Sequence, residues 1–161
     1  MRIIPMNFKI IYQLSASLFL CFSMATHATE LDNFLIQKKL IDQHYKIKDK
    51  KNLDDLLTAL SEEDSRVLPI QIDQNTLIEK IDLFHDHIDL QGIITSSDFN
   101  QFANSVGKER IQSLLIKGMI ENCDLIFENE FQRKNPYYVK MKLVSEHKSY
   151  DLKIKNDQCA F

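Results

Sequence analysis

The N-terminal segment constrains this chain most, because it decides how many residues fold and in which compartment they do so. Arg2 and Lys9 carry positive charge ahead of an apolar run from Ile10 to Met24. Small residues follow in Thr26-His27-Ala28, at the spacing that a signal peptidase requires. This order is typical of a secretory signal peptide. We therefore expect residues 1–28 to be cleaved and the mature protein to be periplasmic or secreted.

Three other interpretations of this segment stay open. Signal peptidase could cut instead after Ser23-Met24-Ala25. The apolar run is shorter than the roughly 20 residues of a transmembrane helix, but it could remain as an uncleaved anchor. Cys21 could be lipidated, although Leu20 lacks the small side chain normally found before an acylated cysteine. After signal cleavage we expect no membrane span.

Export would also decide which of the three cysteines remain in the folded protein. Cys21 leaves with the signal peptide, so the mature chain keeps Cys123 and Cys159. An even pair in an oxidising compartment predicts a structural disulfide. Two buried free thiols are the alternative if the protein is cytosolic.

The charge composition of the chain limits the classes of partner that it can bind. Residues 1–28 contain two cationic side chains and no acidic one, so cleavage changes the formal net charge from −3 to −5. An acidic protein lacks the surplus of Lys and Arg that phosphate backbones require, so we expect no nucleic acid partner. The remaining 133 residues are enough for one domain with a real core. No glycine-rich phosphate loop or internal repeat occurs.

Helical spacing dominates the first part of the mature chain. Apolar residues from Leu31 to Tyr45 recur at an imperfect helical period, and the lysine-rich segment 46–51 ends this first helix. Asn52 is the expected N-cap of a second helix. Its apolar stripe has the regular spacing of Leu53, Leu56, Leu57 and Leu60.

Period-two alternation follows, which predicts strands. We expect a short strand over 68–72, an Asx-turn at Asp73, and a hairpin formed by 76–84 and 88–95. Ser96 or Ser97 should cap one long helix that Gly107 bends and that runs to about residue 122. An irregular stretch then leads to strands 137–145 and 149–155, joined by the turn Glu146-His147-Lys148.

This order predicts an α+β fold. We expect a small antiparallel sheet with one long helix packed on a face, preceded by two N-terminal helices. The expected divisions are the signal peptide 1–28, an N-terminal helical segment 29–60 and an α+β domain 61–161. The disulfide would then fix the end of the long helix to the sheet.

From residue 61 to residue 159 the chain resembles a group of small exported bacterial α+β proteins of unknown function. The group's pattern begins Leu-Pro-x-x-hydrophobic-Asp-x-x-Thr, which matches Leu68 to Thr76. It continues with a hairpin, a helix that ends in cysteine, a polar hairpin and a second cysteine, matched by Cys123 and Cys159. The second hairpin strand differs, because the group often has aromatic residues where this chain has Ile88 to Ile93. The resemblance implies a fold and a compartment and supplies no activity.

His85 and His87 are the candidate metal ligands. Alternate residues of a strand face one side, so the two imidazoles could present themselves together to Zn²⁺ or Cu²⁺. No third ligand is identifiable, and a polar hairpin turn explains the same residues. We expect no metal and no cofactor.

Other candidate groups have simpler explanations. Ser96-Ser97-Asp98 suits a helix start better than a nucleophile, and no Gly-x-Ser-x-Gly motif occurs. Glu128 and Glu130 could be paired carboxylates for glycoside hydrolysis, but a solvated loop anchored by the neighbouring Phe127 and Phe131 explains them better. The basic, aromatic run from Arg133 to Tyr138 is interpreted as a loop leading into a strand.

These observations favour a non-enzymatic protein that binds an unidentified protein partner. An immunity or inhibitor protein, with surface carboxylates facing a basic partner, is one form of this hypothesis. An envelope assembly factor is another. The alternative from a different class is a small metal-binding protein or metal-dependent enzyme that uses His85 and His87. The oligomeric state stays open.

Overall fold

The computed structural model describes residues 28–146 and 148–161. Nearly all of the expected signal peptide, and His147 in the expected final turn, lie outside the described residues. The α-helices of the described part are α1 (Glu30–Gln37), α2 (Lys50–Asp64), α3 (Ser97–Val106), α4 (Lys108–Glu121), α5 (Cys123–Ile126) and α6 (Glu130–Lys134). Its strands are β1 (Ile70–Gln71), β2 (Thr76–Leu83), β3 (His87–Ile94), β4 (Tyr138–Val144) and β5 (Ser149–Lys155).

Within the described residues the strands form one sheet in the order β1-β2-β3-β4-β5. The α+β prediction is confirmed. All neighbouring strands are antiparallel except β3 and β4, which are parallel. The expected antiparallel pairing is therefore correct for three of the four strand pairs and wrong for β3 with β4. The reason is the connection between β3 and β4, which consists of four helices and crosses over to begin β4 at the same end as β3.

One face of the sheet carries the core. The register aligns Ile88, Val139 and Ile154 across β3, β4 and β5, and all three are buried. Helix α4 packs on β5 and α2 packs on β2, so the helices cover this face. Most alternate positions of β4 and β5 carry lysine or aspartate side chains, which are exposed on the opposite face together with Val144. We call this second face the open face.

The expected long helix is two helices. Gly107 has φ = 92°, a conformation that a side chain would strain, and it separates α3 from α4. Glycine therefore ends the first helix here instead of only bending it. The N-terminal cap was predicted correctly, because the Ser96 hydroxyl accepts the Phe99 N–H at 3.2 Å.

The N-terminal helices are shorter or shifted relative to the sequence prediction. Helix α1 ends at Gln37, two residues before Lys39 takes a φ of 60°, and Tyr45 takes the same φ later in the loop. Asp49, and not Asn52, caps α2: its carboxylate accepts the Asn52 N–H at 3.1 Å. This interaction lowers the pKa of Asp49, as expected of a carboxylate that accepts backbone hydrogen bonds.

The stretch after Cys123 was expected to be irregular, but it contains α5 and α6. Helix α6 begins against a buried carboxylate from α1. Asp32 accepts the backbone N–H of Glu130 at 2.8 Å and of Phe131 at 3.1 Å. It also forms a capping box with Thr29 at the start of its own helix. Because Asp32 is fully buried, these bonds fix α6 to α1.

Cys123 and Cys159 are joined by a disulfide in the structure. Cys123 begins α5, Cys159 follows β5, and their Cα atoms are 5.9 Å apart. The bond connects the helical crossover to the C-terminal end of the sheet. In the part of the chain that the structure describes, no helix is both long enough and apolar enough to cross a bilayer.

Removing the disulfide should destabilise the fold. Cys123→Ala is expected to lower the free energy of unfolding by about 3.8 kcal/mol, the loop-entropy value for a separation of 36 residues. Urea denaturation measures this change. Cys159→Ala and the double variant should lose the same amount, because each removes the same bond. Two free thiols in protein kept under oxidising conditions, detected by non-reducing mass spectrometry, would contradict the prediction.

Asp32→Ala should also be strongly destabilising. It leaves the N–H groups of Glu130 and Phe131 buried without an acceptor, at a cost of about 1–3 kcal/mol each. The matched control is Asp55→Ala, which removes an exposed carboxylate paired with Lys51 at 2.8 Å. The control should change stability by no more than about 1 kcal/mol. Equal midpoints for the two variants in thermal denaturation would show that the Asp32 contacts do not stabilise the fold.

Candidate functional site

A cleft of about 860 Å³ opens at one end of the sheet. Four segments meet there: the loop before α2, the β2–β3 turn, the connection from α6 to β4, and the end of β5. The lining residues are Lys46, Ile47, Lys50, His85, Asp86, Arg133, Lys134, Asn135, Pro136, Tyr137, Tyr138, Lys155, Asn156 and Asp157. We call this site the basic cleft.

Positive charge predominates in the basic cleft, although the whole chain has a net charge of −3. Its five cations are Lys46, Lys50, Arg133, Lys134 and Lys155, against the two carboxylates Asp86 and Asp157. Arg133 is already paired, since its guanidinium lies 3.3 Å from the buried Glu130 carboxylate. Among the described residues, Lys50 and Lys155 have no carboxylate within ion-pair distance.

Asn135 fixes one wall of the cleft. Its side-chain amide donates to the carbonyl oxygens of Tyr45 and Phe131, both at 2.7 Å. Its side-chain oxygen accepts the Ile47 N–H at 3.3 Å. One asparagine therefore connects the loop before α2 to the end of α6, two segments about 90 residues apart in the chain.

Asn156 fixes a second part of the cleft lining. Its amide donates to three backbone carbonyls, those of Gln132, Arg133 and Asn135, at 2.6–3.2 Å. Its oxygen accepts the Tyr137 N–H at 3.3 Å. These bonds hold the connection from α6 to β4 against the end of β5. The cations of the cleft therefore project from a backbone whose position is set before any ligand arrives.

Tyr137 joins this connection to the β2–β3 turn. Its hydroxyl lies 2.8 Å from the carbonyl oxygen of Phe84 and 3.0 Å from that of His87. Burial raises the pKa of the Tyr137 phenol far above its ordinary value. The hydroxyl therefore stays protonated and acts as a structural donor, not as an acid or base.

His85 faces the cleft and is held by a carboxylate of α2. Asp54 accepts the His85 backbone N–H at 2.7 Å and lies 2.7 Å from the ring Nδ1. The first bond fixes the turn and the second fixes the orientation of the ring. The Nδ1 atom is thereby engaged, which leaves Nε2 as the ring nitrogen for any contact with a ligand.

His87 occupies the middle of an aromatic stack on the open face. Its ring is nearly parallel to Phe84 on one side and Tyr138 on the other, with centroids 4.4 and 4.9 Å away. Its Nδ1 lies 2.6 Å from Asp86. Burial acts to raise the pKa of Asp86, but the hydrogen bond and positive charge of His87, with the charge of His85, lower it overall.

The two candidate metal ligands are thus engaged with different carboxylates. His85 bonds Asp54 through Nδ1, and His87 bonds Asp86 through Nδ1. Among residues 28–146 and 148–161, no group of three His, Cys, Asp or Glu side chains is placed to hold a metal ion.

The remaining candidates have structural roles. Glu130 is buried and ion-paired to Arg133, so it is not part of a solvated loop as expected, whereas Glu128 is exposed. The Arg133–Tyr138 run was considered only as a loop leading into a strand, yet all six of its residues line the cleft. The run itself was the sequence signal for the site. Its partners, Lys46, Lys50 and Lys155, come from distant segments that no local pattern connects to it.

Comparisons with known proteins add the following. No family model matches the chain, and no curated protein matches its sequence. A solved structure of a candidate secreted protein of Pseudomonas aeruginosa is 10% identical, with a TM-score of 0.44, over 69% of this chain and 96% of that chain. A pilotin of the Vibrio vulnificus type 2 secretion system is 10% identical, with a TM-score of 0.42, over 70% and 96%. At these values neither likeness bears on function, and the resemblance of residues 61–159 to small exported proteins stays a prediction.

We expect the purified protein to retain no stoichiometric metal. After equilibration with Zn²⁺ and with Cu²⁺ and removal of free ion, elemental analysis should find far less than one metal per chain. Both candidate histidines use Nδ1 for a carboxylate, and two imidazoles alone make a weak site. Retained metal that disappears in the His85→Ala, His87→Ala double variant would establish the metal-binding alternative instead.

Proposed function

We propose that this chain is an exported, non-enzymatic protein that acts by binding another protein, and that an acidic segment of the partner occupies the basic cleft. The observation that carries the proposal is the cleft itself: five cations gathered from three segments of a chain with a net charge of −3. Export to the periplasm or outside the cell is part of the proposal. An immunity or inhibitor protein and an envelope assembly factor are its two forms.

The charge of the cleft specifies the charge of the partner. The acidic composition suggested that surface carboxylates of this chain face a basic partner. At the basic cleft the relation is reversed, because cations outnumber carboxylates there. Complementary charge accelerates association and discriminates against like-charged competitors. An acidic segment is therefore the ligand that this site favours.

Preorganisation supports a binding role. The Asn135 and Asn156 side chains bond the backbone on both sides of the cleft, so its walls do not need to order when a ligand binds. Less conformational entropy is then lost on association. The cleft also keeps Lys50 and Lys155 free of carboxylates among the described residues, so these two ammonium groups can pair with a ligand.

The chemistry of the lining groups supports a non-enzymatic role. His85 with Asp54 resembles a base with its orienting acid, an arrangement that serves nucleophilic catalysis when a hydroxyl or thiol is adjacent. The described residues that line the cleft include no serine, threonine or cysteine. His85 therefore has no side-chain nucleophile there to activate.

A photo-crosslinking residue at Tyr138 tests the proposal. Introduced into the exported protein, it should capture a discrete partner in the periplasmic fraction, whereas the same residue at the exposed Lys117 of α4 should not. With the captured partner in hand, the Lys50→Gln, Lys155→Gln variant should bind it at least about tenfold more weakly, as expected if each cation contributes about 1 kcal/mol. Raising the salt concentration should weaken wild-type binding as well.

The matched control removes the same charge elsewhere. Lys108→Gln, Lys117→Gln neutralises two exposed lysines of α4 and should leave the affinity unchanged. Equal capture from Tyr138 and Lys117, or equal loss of affinity in both double variants, would refute a role for the cleft. The genes beside this one would separate the two forms: a toxin gene supports an immunity protein and an envelope operon supports an assembly factor.

A further inference from the structure

The open face of the sheet carries a second group of cations. Lys140 and Lys142 of β4 and Lys153 of β5 alternate with buried residues, so their exposed side chains all project from the face opposite the helices. The register places Lys140 directly beside Lys153. In the described part of the chain, no helix packs over these positions.

Neighbouring acids neutralise only part of this charge. Lys140 lies 3.6 Å from Asp89, and the register places Lys142 beside Asp151. Lys153 has no such partner among the described residues. Its ammonium lies 3.7 Å from the centre of the Tyr138 ring, a cation–π contact that positions the charge without neutralising it.

The open face is continuous with the basic cleft. Tyr138 lines the cleft and also contacts Lys153, and Lys155 lines the cleft two residues further along the same strand. Successive residues on one face of a strand are about 7 Å apart. The cations therefore run without a gap from the cleft along β5 and β4.

We propose that this lysine track, formed by Lys140, Lys142 and Lys153, binds the continuation of the partner's acidic segment in an extended conformation. The inference rests on the proposed function and specifies the partner further. Because an extended segment also presents alternate residues on one side, about 7 Å apart, acidic residues at every second position would match the track. The partner segment is thus a Glu-x-Glu-x-Glu type of sequence, longer than the cleft alone needs.

The partner's acidic segment lies across the open face of the sheet and does not pair with β5 as an additional strand. The edge of β5 is partly occupied by its own chain: Gln112 donates to the Asp151 carbonyl at 3.0 Å. The Lys155 N–H donates to the Gln158 side chain at 2.7 Å. Addition of a new strand would have to break both bonds, whereas side-chain contact with the lysines breaks neither.

Synthetic peptides of alternating Glu and Ser test the proposal on the full mature chain. A short peptide of about six residues spans the cleft, and a long one of about fourteen also reaches the track. By fluorescence anisotropy at low salt, the long peptide should bind at least about tenfold more tightly than the short one. A long peptide of alternating Gln and Ser should not bind detectably.

Lysine variants test whether the track causes the difference in affinity between the long and the short peptide. Lys140→Gln, Lys142→Gln, Lys153→Gln should reduce the affinity for the long peptide to that for the short one and leave the short peptide unaffected. The triple Lys→Arg variant should keep the length advantage, and Lys108→Gln, Lys117→Gln should change neither affinity. A length advantage that survives the Gln triple variant would overturn the track. So would long-peptide binding no tighter than short, or equally tight binding of inorganic polyphosphate, which would show attraction to any polyanion.

Amide NMR shifts of the wild-type chain provide a measurement that needs no variant. The short peptide should shift amides of the cleft only, and the long peptide should also shift those of Lys140, Lys142 and Lys153. Shifts confined to the cleft with both peptides would refute the track and leave the proposed function standing. Failure of Lys50→Gln, Lys155→Gln to weaken the short peptide would instead refute the proposed function.

Discussion

The buried carboxylate of Asp32 sets the position of the basic cleft. By accepting the first N–H groups of α6, it satisfies the helix terminus and fixes where that helix begins. Arg133 and Lys134 end the same short helix, so their placement on the cleft wall follows from a contact about 100 residues away in the chain. The hydrogen bonds of the Asn135 side chain then hold the loop before α2 against the end of this helix. A carboxylate outside the cleft therefore fixes the helix that carries two of its five cations.

An acidic chain can present a basic site because charge acts locally. Exposed charges further apart than about 8–10 Å are largely screened at physiological salt. The carboxylates near the cleft are mostly committed to structure: Asp54 holds His85, Asp32 holds α6, and Glu130 pairs with Arg133. The ammonium groups of Lys50 and Lys155, by contrast, form no ion pair with a carboxylate of the described residues. Net charge therefore predicts solubility well and the polarity of one binding site poorly.

Sequence patterns predicted those features of the fold that depend on near neighbours. The leucine spacing of α2, the Ser96 cap and the Asx-turn, in which Asp73 accepts the Asn75 N–H at 2.7 Å, are all local. The parallel pairing of β3 with β4 and the start of α6 depend on contacts between distant segments, and local periodicity contains no information about them. The site divides in the same way. The run from Arg133 to Tyr138 was visible in the sequence, but only the fold shows that Lys50 and Lys155 face it.

A sheet covered by helices on one side must be polar on the other, so exposed lysines on β4 and β5 need no binding partner to explain them. Lysines that serve only solubility, however, are expected to be mobile and mixed with acids. The open face departs from that expectation at the end nearest the cleft. There Lys153 is held over Tyr138, which is itself stacked on His87 and Phe84. Ordering a lysine side chain costs up to about 2 kcal/mol of conformational entropy. A fold that holds the ammonium group over a ring, with no carboxylate paired to it among the described residues, meets the requirement of the proposed acidic segment for a positioned cation.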